Sequence, residues 1–274
     1  MTTENTTTWT KLTYADEGDP LWKRLIIEGI EYASGRSLIE RLYNEVRFLD
    51  IPLRDLWALA IEKLELTLDF NEEALEKIPT TGPLVFLGNH PFGVVDGLIL
   101  AFLVSRKRDD YFLLANEMLT RDPRLGGHVL PIDFRTTPEA AKTNQETGQE
   151  AMRRMQAGKT LGIFPSGAVA TAKSFWGSAV DLPWKRFGFK LIQMSQATVV
   201  PIYFHGQNSR MFHIVSQFSM PMRLGMLLYE TKNKMGKTIR FKVGDPIPYS
   251  EMEPYQERTA MMAYLREKVE ACRF

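Results

Sequence analysis

The chain has 274 residues and a formal net charge of +1 at pH 7. Hydrophobic residues make up 44% of it and charged residues 24%, which is typical of a globular protein with a full core. The balanced charge, without aromatic residues interleaved in a basic tract, predicts no nucleic-acid partner. The single cysteine, Cys272, excludes an internal disulfide bond and indicates a reducing compartment.

The first residues are polar and rich in threonine, without the charged start and apolar core of a signal peptide. No stretch of 18 apolar residues is present, so no membrane-spanning segment is predicted. We therefore expect a cytoplasmic protein whose residues 1–19 form a disordered tail.

Two apolar helical patterns follow the tail, over residues 20–48 and after Pro52. Glycines within the first pattern make two shorter helices as plausible as one. Residues 20–70 are thus predicted to form an N-terminal helical hairpin. Its tryptophans and basic residues, such as Trp22 and Arg24, would suit contact with a membrane surface. Packing of the same apolar faces on the main domain is the alternative, and the pattern alone favours it.

From residue 82 onward, short apolar runs alternate with helical patterns. Such alternation predicts an α/β domain over residues 71–274, with a mainly parallel sheet flanked by helices. The expected strands are 84–87, 111–115, 128–132, 159–164, 198–204 and 239–243. The expected helices are 137–157, 185–196 and 256–273.

The stretch LVFLGNHPFGVVDGLIL, residues 84–100, contains the most informative pattern. His90 falls where a strand ends in a glycine- and proline-rich turn, and Asp96 falls near the start of the next helix. Reactive groups in α/β proteins usually lie at the carboxyl ends of strands. A carboxylate that holds Nδ1 of a histidine leaves Nε2 free to act as a general base. A histidine that merely caps a turn is the alternative, and spacing alone does not exclude it.

Three blocks in order, NHPFGVVDG, IFPSGAVAT and VVPIYFHGQNSR, resemble the PlsC-type glycerophospholipid (lysophospholipid) acyltransferases. The similarity extends over about residues 82–248 and is strongest to the hemolysin-like acyltransferase branch. The resemblance implies transfer of a fatty acyl group to a lysophospholipid-like acceptor. The co-substrate would be acyl-CoA or acyl-carrier protein, with no metal and no other cofactor. It also implies a peripheral protein on the inner face of the membrane.

The resemblance assigns roles to the residues of the first block. His90 would be the general base that deprotonates the acceptor hydroxyl, and Asp96 would orient it. Asn89, Gly93 and nearby backbone amides would steady the oxyanion.

Further residues match the acceptor side of the resembling family. Arg135, in PIDFR, would bind the phosphate of the acceptor, since a guanidinium pairs well with phosphate. Phe164, Pro165, Ser166 and Gly167 match the block that lines the acceptor site. Basic and aromatic residues after this block suit a membrane-facing rim (Lys173, Phe175, Trp176, Trp184, Lys185 and Arg186).

Two departures from the family pattern affect these expectations. Five residues separate His90 from Asp96, where the family usually has four, so the turn must absorb one more residue. Ser166 stands where most members carry a glutamate that helps hold the acceptor, which leaves the acceptor open. Ser166 also suggests an alternative function, a serine hydrolase or thioesterase, although the first glycine of a nucleophile elbow is missing. A non-catalytic lysolipid-binding protein is the other alternative.

Two other histidines lie near acidic or polar residues. His128 and Asp133 satisfy the His-x4-Asp spacing, but they lie on a strand-like run whose positions five apart face opposite sides. We therefore interpret His128 as structural. His205, just after a strand, would either border the pocket or anchor its loop.

Overall fold

A computed structural model describes residues 18, 20–33, 35–116, 122–133, 137–172, 174, 177–218 and 220–273. Its strands are β1 (Thr67–Asp69), β2 (Leu84–Gly88), β3 (Tyr111–Asn116), β4 (Val129–Ile132), β5 (Thr160–Ile163), β6 (Thr198–Phe204) and β7 (Thr238–Val243). Its helices are α1 (Leu21–Ala33), α2 (Arg36–Val46), α3 (Leu53–Lys63), α4 (Val94–Lys107), α5 (Pro138–Gln156), α6 (Arg186–Ser195), α7 (Arg210–Phe218), α8 (Met220–Lys234), α9 (Tyr249–Met252) and α10 (Arg258–Glu270). Two short 3-10 helices lie at Glu72–Lys77 and Pro123–Leu125.

The seven strands form one sheet in the order β1-β7-β6-β2-β5-β3-β4. All neighbouring pairs are parallel except β6 and β7, which are antiparallel. Strand β2 lies in the middle, between β6 and β5, and is buried along its whole length. A strand covered on both faces needs an apolar run without alternation, which the sequence of β2 supplies. The prediction of a mainly parallel α/β sheet flanked by helices is confirmed.

Helices cover both faces of the sheet. Leu84 and Phe86 of β2 join a core with α3 and α4 on one face. Val85 and Leu87 join a second core with α5, α6 and α10 on the other. Because side chains alternate along a strand, one short segment contributes to both cores. This central position fixes the end of β2, where His90 follows.

The N-terminal segment is helical as predicted, and its first pattern divides into two helices, which gives three in all. The break after α1 is followed by Gly35, whose φ of +92° favours glycine. Helix α1 packs on α8, α2 lies against α3 and α8, and α3 packs on α4. Strand β1 lies within residues 20–70 and pairs with β7, so this segment also contributes to the sheet. The predicted tail, residues 1–19, lies outside the described residues apart from Gly18.

The predicted strands and helices after residue 82 match the observed ones to within a few residues. The methionine-rich region 211–235, which the sequence did not assign, forms α7 and α8. Helix α8 packs against α1, α4 and α7, so it lies beside the helix that carries Asp96. No helix within the described ranges is long and apolar enough to cross a membrane.

Candidate active site

His90 and Asp96 come together across the turn between β2 and α4. Nδ1 of His90 lies 3.0 Å from Oδ1 of Asp96, although the two groups are not aligned as a straight hydrogen bond. Hydrogen bonds of this kind often tighten only when substrate binds. The Asp96 carboxylate is fully buried and accepts from the amides of Phe92 (2.8 Å) and Gly97 (2.9 Å). Two backbone donors thus hold the carboxylate in place, so the orienting partner is rigid.

The turn absorbs the fifth residue between His90 and Asp96 through an unusual glycine. Gly93 has φ +94° and ψ −99°, a region that other residues rarely adopt. A Cβ at this position would lie 2.8 Å from Cδ2 of Leu227 and 3.1 Å from Cγ2 of Val169. Gly93 therefore serves the backbone geometry and the close approach of α8.

The imidazole of His90 is held by stacking as well as by Asp96. Its ring lies 3.9 Å from that of Phe164, centroid to centroid, with an angle of 9° between the planes. The carbonyl of His90 accepts from the amide of Ala170 at 2.7 Å. The side chain is 16% exposed, and no described residue hydrogen-bonds Nε2. An oriented histidine with an accessible Nε2 has the geometry of a general base.

The side chain of Asn89 anchors the turn that carries His90. Its Nδ2 donates to the carbonyl of Phe204 at 2.9 Å, and its Oδ1 accepts from the amide of the same residue at 2.7 Å. These paired bonds anchor the turn to the end of β6. The expectation that Asn89 also steadies an oxyanion stays a prediction. The first amides of α4, which have no side-chain cap, remain the candidate donors.

The Pro-Ser-Gly turn after β5 lies beside His90 through Phe164. The hydroxyl of Ser166 is fully buried and donates to the carbonyl of Ala168 at 2.9 Å. A nucleophile must be accessible to its substrate, so this orientation contradicts the hydrolase alternative. Pro165 accepts from the amide of Lys185 (2.9 Å), and Gly167 has φ +65°. Of this block only Phe164 contacts the candidate base directly.

Arg135, the predicted ligand of the acceptor phosphate, lies outside the described residues. So do Lys173, Phe175 and Trp176 of the predicted rim. Their roles stay predictions.

The structure places two further residues, Asp181 and Lys185, at the site, in contacts that the sequence did not predict. The carboxylate of Asp181 accepts from the amide of His90 (3.1 Å) and from Nε1 of Trp184 (3.4 Å). Burial raises the pKa of Asp181 above its ordinary value. The side chain of Lys185 lies over Gly167. A Cβ added to Gly167 would be 2.8 Å from Nζ of Lys185. No local pattern marks Asp181, because 91 residues separate it from His90.

A layer of buried polar side chains supports the turn from the side of α7 and α8. Asn208 donates to the carbonyl of Phe92 at 3.2 Å, and Glu230 accepts from the amide and hydroxyl of Ser209. His213 accepts from the amide of Ala172 at 3.4 Å, and burial lowers its pKa. These contacts link the segment after β6 to the segments that follow β2 and β5. The GQNSR motif was the only sequence signal for this layer.

Three further residues with charged or titratable side chains make structural contacts. Arg223 of α8 donates to the carbonyl of Val169, and burial lowers its pKa. Nδ1 of His128 lies 2.9 Å from the carbonyl of Tyr111, which confirms its structural interpretation. The amide of His205 donates to the carbonyl of Arg240, which favours loop anchoring.

Two surface cavities, of about 520 and 360 Å³, do not coincide with His90. They lie near Gly82, Asp109 and Tyr111, where strands begin, whereas His90 lies where β2 ends. The candidate site is placed by its chemistry, because neither cavity contains, among its described residues, a histidine paired with a buried carboxylate. His128, which lines the smaller cavity, has Nδ1 2.9 Å from the carbonyl of Tyr111 instead. Within the described residues, no group of three or more His, Cys, Asp or Glu side chains could hold a metal ion.

Two relatives of known activity are similar to this chain. It is 25% identical over 224 residues to a lyso-glycine lipid O-acyltransferase from Bacteroides thetaiotaomicron, covering 77% of the chain and 79% of the relative. It is 24% identical over 228 residues to the protein of the same name from Phocaeicola vulgatus, covering 77% of each.

The fold is similar to that of a solved acyltransferase. The structure of the 1-acyl-sn-glycerophosphate (LPA) acyltransferase PlsC from Thermotoga maritima matches with a TM-score of 0.52 at 14% sequence identity. The match covers 92% of this chain and 93% of that one. A family model described as "Acyltransferase" matches residues 36–273. The turns that follow β2, β5 and β6 carry the three sequence blocks and lie around His90, and we call them the three motif turns. Since the family model covers most of the chain, the chain belongs to the PlsC-type acyltransferase family.

Proposed function

We propose that the protein transfers a fatty acyl group from a thioester donor to the hydroxyl of a lysolipid, with His90 as general base. The observation that carries the proposal is the placement of Nδ1 of His90 3.0 Å from the fully buried carboxylate of Asp96. This arrangement fixes the ring and stabilises the imidazolium that forms during the reaction.

The proposed reaction needs no covalent enzyme intermediate. Nε2 of His90 takes the proton of the acceptor hydroxyl while that oxygen attacks the thioester carbonyl. The tetrahedral intermediate collapses, the carbon–sulfur bond breaks, and the imidazolium gives its proton to the departing sulfur. The products are an ester of the lipid and the free thiol of the donor. The donor is acyl-CoA or acyl-carrier protein.

The acceptor we propose is a lysolipid with an anionic head group, of which a lyso-glycine lipid is the leading candidate. The two relatives act on that lipid by name, and glycine linked through its amine keeps a free carboxylate. The buried Ser166 leaves no carboxylate at the position of the family glutamate. The nearby Lys185 ammonium has no acidic partner among the described residues and lies over Gly167. A cation at this place suits an anionic acceptor, and Arg135 would add a second one.

The test is an acyl-transfer assay with labelled acyl-CoA and labelled acyl-carrier protein. Acceptors are lyso-glycine lipid, lysophosphatidic acid and other lysolipids, and His90→Ala is assayed in parallel. Labelled diacylated lipid that depends on His90 is the expected result, and the better donor identifies the co-substrate. Free fatty acid without lipid product, or lipid product from His90→Ala, would contradict the proposal.

Lys185 is tested by a charge-matched pair of acceptors. We expect Lys185→Gln to raise the KM for lyso-glycine lipid about 5- to 10-fold. The KM for the carboxamide analogue of the same lipid should not change. Lys190→Gln, at an exposed position of α6, is the control. An equal KM increase for both acceptors would contradict recognition of the carboxylate.

We further propose peripheral attachment to the inner face of the membrane through exposed apolar side chains of α1 and α7. Trp22 is 66% exposed on α1 and Phe218 is 72% exposed on α7, each beside further exposed apolar residues of its helix. Both helices pack on α8. Exposed aromatic and aliphatic side chains on a helix suit insertion at a lipid interface.

Point variants test this attachment better than a deletion, since α1–α3 pack on the main domain. We expect Trp22→Ser with Phe218→Ser to reduce sedimentation with anionic liposomes. Met194→Ser, a 56% exposed position on α6, is the matched control, because α6 packs on the other face of the sheet. Equal sedimentation of all three proteins would contradict this surface.

A further inference from the structure

Residues 179–185, which we call the strap, contact all three motif turns. The amide of Ala179 donates to Oε1 of Gln207 at 2.8 Å. The amide of His90 donates to Asp181 at 3.1 Å, and the amide of Lys185 donates to the carbonyl of Pro165 at 2.9 Å. A segment distant in sequence thus crosses the carboxyl ends of the strands and connects the turns that follow β2, β5 and β6.

Asp181 is the residue of the strap that reaches the candidate base. One carboxylate oxygen accepts from the main-chain amide of His90, and the other accepts from Nε1 of Trp184 at 3.4 Å. His90 is therefore held at three points, its ring by Asp96, its carbonyl by the amide of Ala170 (2.7 Å), and its amide by Asp181. Asp181 provides the only one of these contacts that links His90 to the strap.

We propose that Asp181 is a positioning residue for His90, which fixes the main chain of the base while Asp96 fixes its ring. The proposal rests on the proposed role of His90 as general base. A base must be placed to within a fraction of an ångström of the proton that it removes, and small displacements cost large factors in rate. Without the bond to Asp181, the amide of His90 has no acceptor in the described structure, and the turn can shift relative to the acceptor loop.

The contribution of Asp181 is distinct from that of a residue that only stabilises the fold. Asparagine at this position keeps a side-chain oxygen that accepts from the amide of His90, whereas alanine removes it. If Asp181 positions His90, the Asp181→Ala variant has a lower kcat, and the Asp181→Asn variant has a kcat close to that of the wild type. A purely structural role would lower the melting temperature and leave the kcat of the folded enzyme unchanged.

The experiment measures kcat, KM and Tm for the full-length protein and its variants with the best acceptor from the lysolipid panel. We expect Asp181→Ala to lower kcat about 10- to 100-fold with KM changed less than twofold. Asp181→Asn should recover kcat to within about threefold of wild type. Asp245→Ala, which removes an exposed carboxylate paired with Lys77, is the control.

Each outcome decides the proposal. A normal kcat in Asp181→Ala would overturn it, and so would an Asp181→Asn variant as slow as Asp181→Ala, because charge rather than the hydrogen bond would then act. If Asp181→Ala does not fold, Trp184→Phe decides instead, since it frees the carboxylate to rotate. A lower kcat with unchanged KM supports the proposal, and an unchanged kcat overturns it. Activity of His90→Ala would refute the base itself, which keeps the two failures distinct.

Discussion

The two ends of helix α4 bury polar groups for different purposes. At its C-terminal end, the guanidinium of Arg108 is buried and donates four hydrogen bonds, two to the carboxylate of Asp110 and one each to the carbonyls of Gly82 (3.0 Å) and Gly158 (2.9 Å). These residues precede strands β3, β2 and β5. At its N-terminal end, the buried Asp96 is held by backbone amides and faces a histidine whose Nδ1 is not aligned with it.

The difference separates stability from function. A charge that makes most of its hydrogen bonds within the protein stabilises the fold and has little capacity left for a substrate. A base with an accessible nitrogen has that capacity, although the protein must hold it in place. The larger cavity lies beside Arg108, yet the reactive geometry lies at the other end. Mutations at the N-terminal end of α4 should therefore lower the turnover, and mutations at its C-terminal end should lower the stability.

The largest expected effect is on turnover at the N-terminal end of α4. His90→Ala and Asp96→Asn should each lower the rate of acyl transfer about 10²- to 10⁴-fold, because the base or its orienting partner is lost. Initial rates with labelled donor measure the effect, and circular dichroism checks that the fold is kept. Near-normal turnover of His90→Ala would refute the mechanism.

Gly93→Ala should lower both the stability of the fold and the turnover. The new Cβ would meet Leu227 at 2.8 Å, and the φ of +94° is strained for alanine. We expect a loss of about 2 kcal/mol or more in the free energy of unfolding, together with a lower kcat as the turn moves. Urea denaturation and kinetics measure the two effects. A variant with wild-type values in both would show that the turn tolerates other conformations.

Arg108→Met should lower stability and leave turnover unchanged. Removing the guanidinium takes the donor from the carbonyls of Gly82 and Gly158 and breaks the pair with Asp110, which costs about 1 to 2 kcal/mol. Arg108 also lowers the pKa of Asp110, chiefly by hydrogen bonding, so this contribution is present at neutral pH and is lost as the pH falls through the lowered pKa. Urea denaturation at two pH values measures both effects. A large fall in kcat of the folded variant would contradict the division between the two ends.

The smallest effect is expected for Ser166→Ala. The hydroxyl makes one internal hydrogen bond, so its loss should cost about 1 kcal/mol in unfolding free energy and change kcat less than about threefold. Thermal unfolding and the acyl-transfer assay measure these quantities. Loss of activity with this variant, at normal Tm, would revive the serine-nucleophile alternative.

The sequence by itself determined the sheet class, most element boundaries and the pairing of His90 with Asp96. These features depend on local patterns: apolar runs that fit buried strands, and a turn whose glycines bring two nearby residues together. The same local logic identified His128 as structural. It did not predict the anchoring contact of Asn89, because the partner of that amide is the main chain of Phe204.

Only the tertiary structure decided which distant residues support the site. Asp181 is 91 positions from His90, and the strap reaches the base through backbone amides, which any sequence provides. The inward orientation of the Ser166 hydroxyl and the packing of α8 against Gly93 likewise depend on contacts between elements. Such contacts leave no periodic signal in the chain, because hydrogen bonds to the main chain constrain one partner's side chain and not the other's.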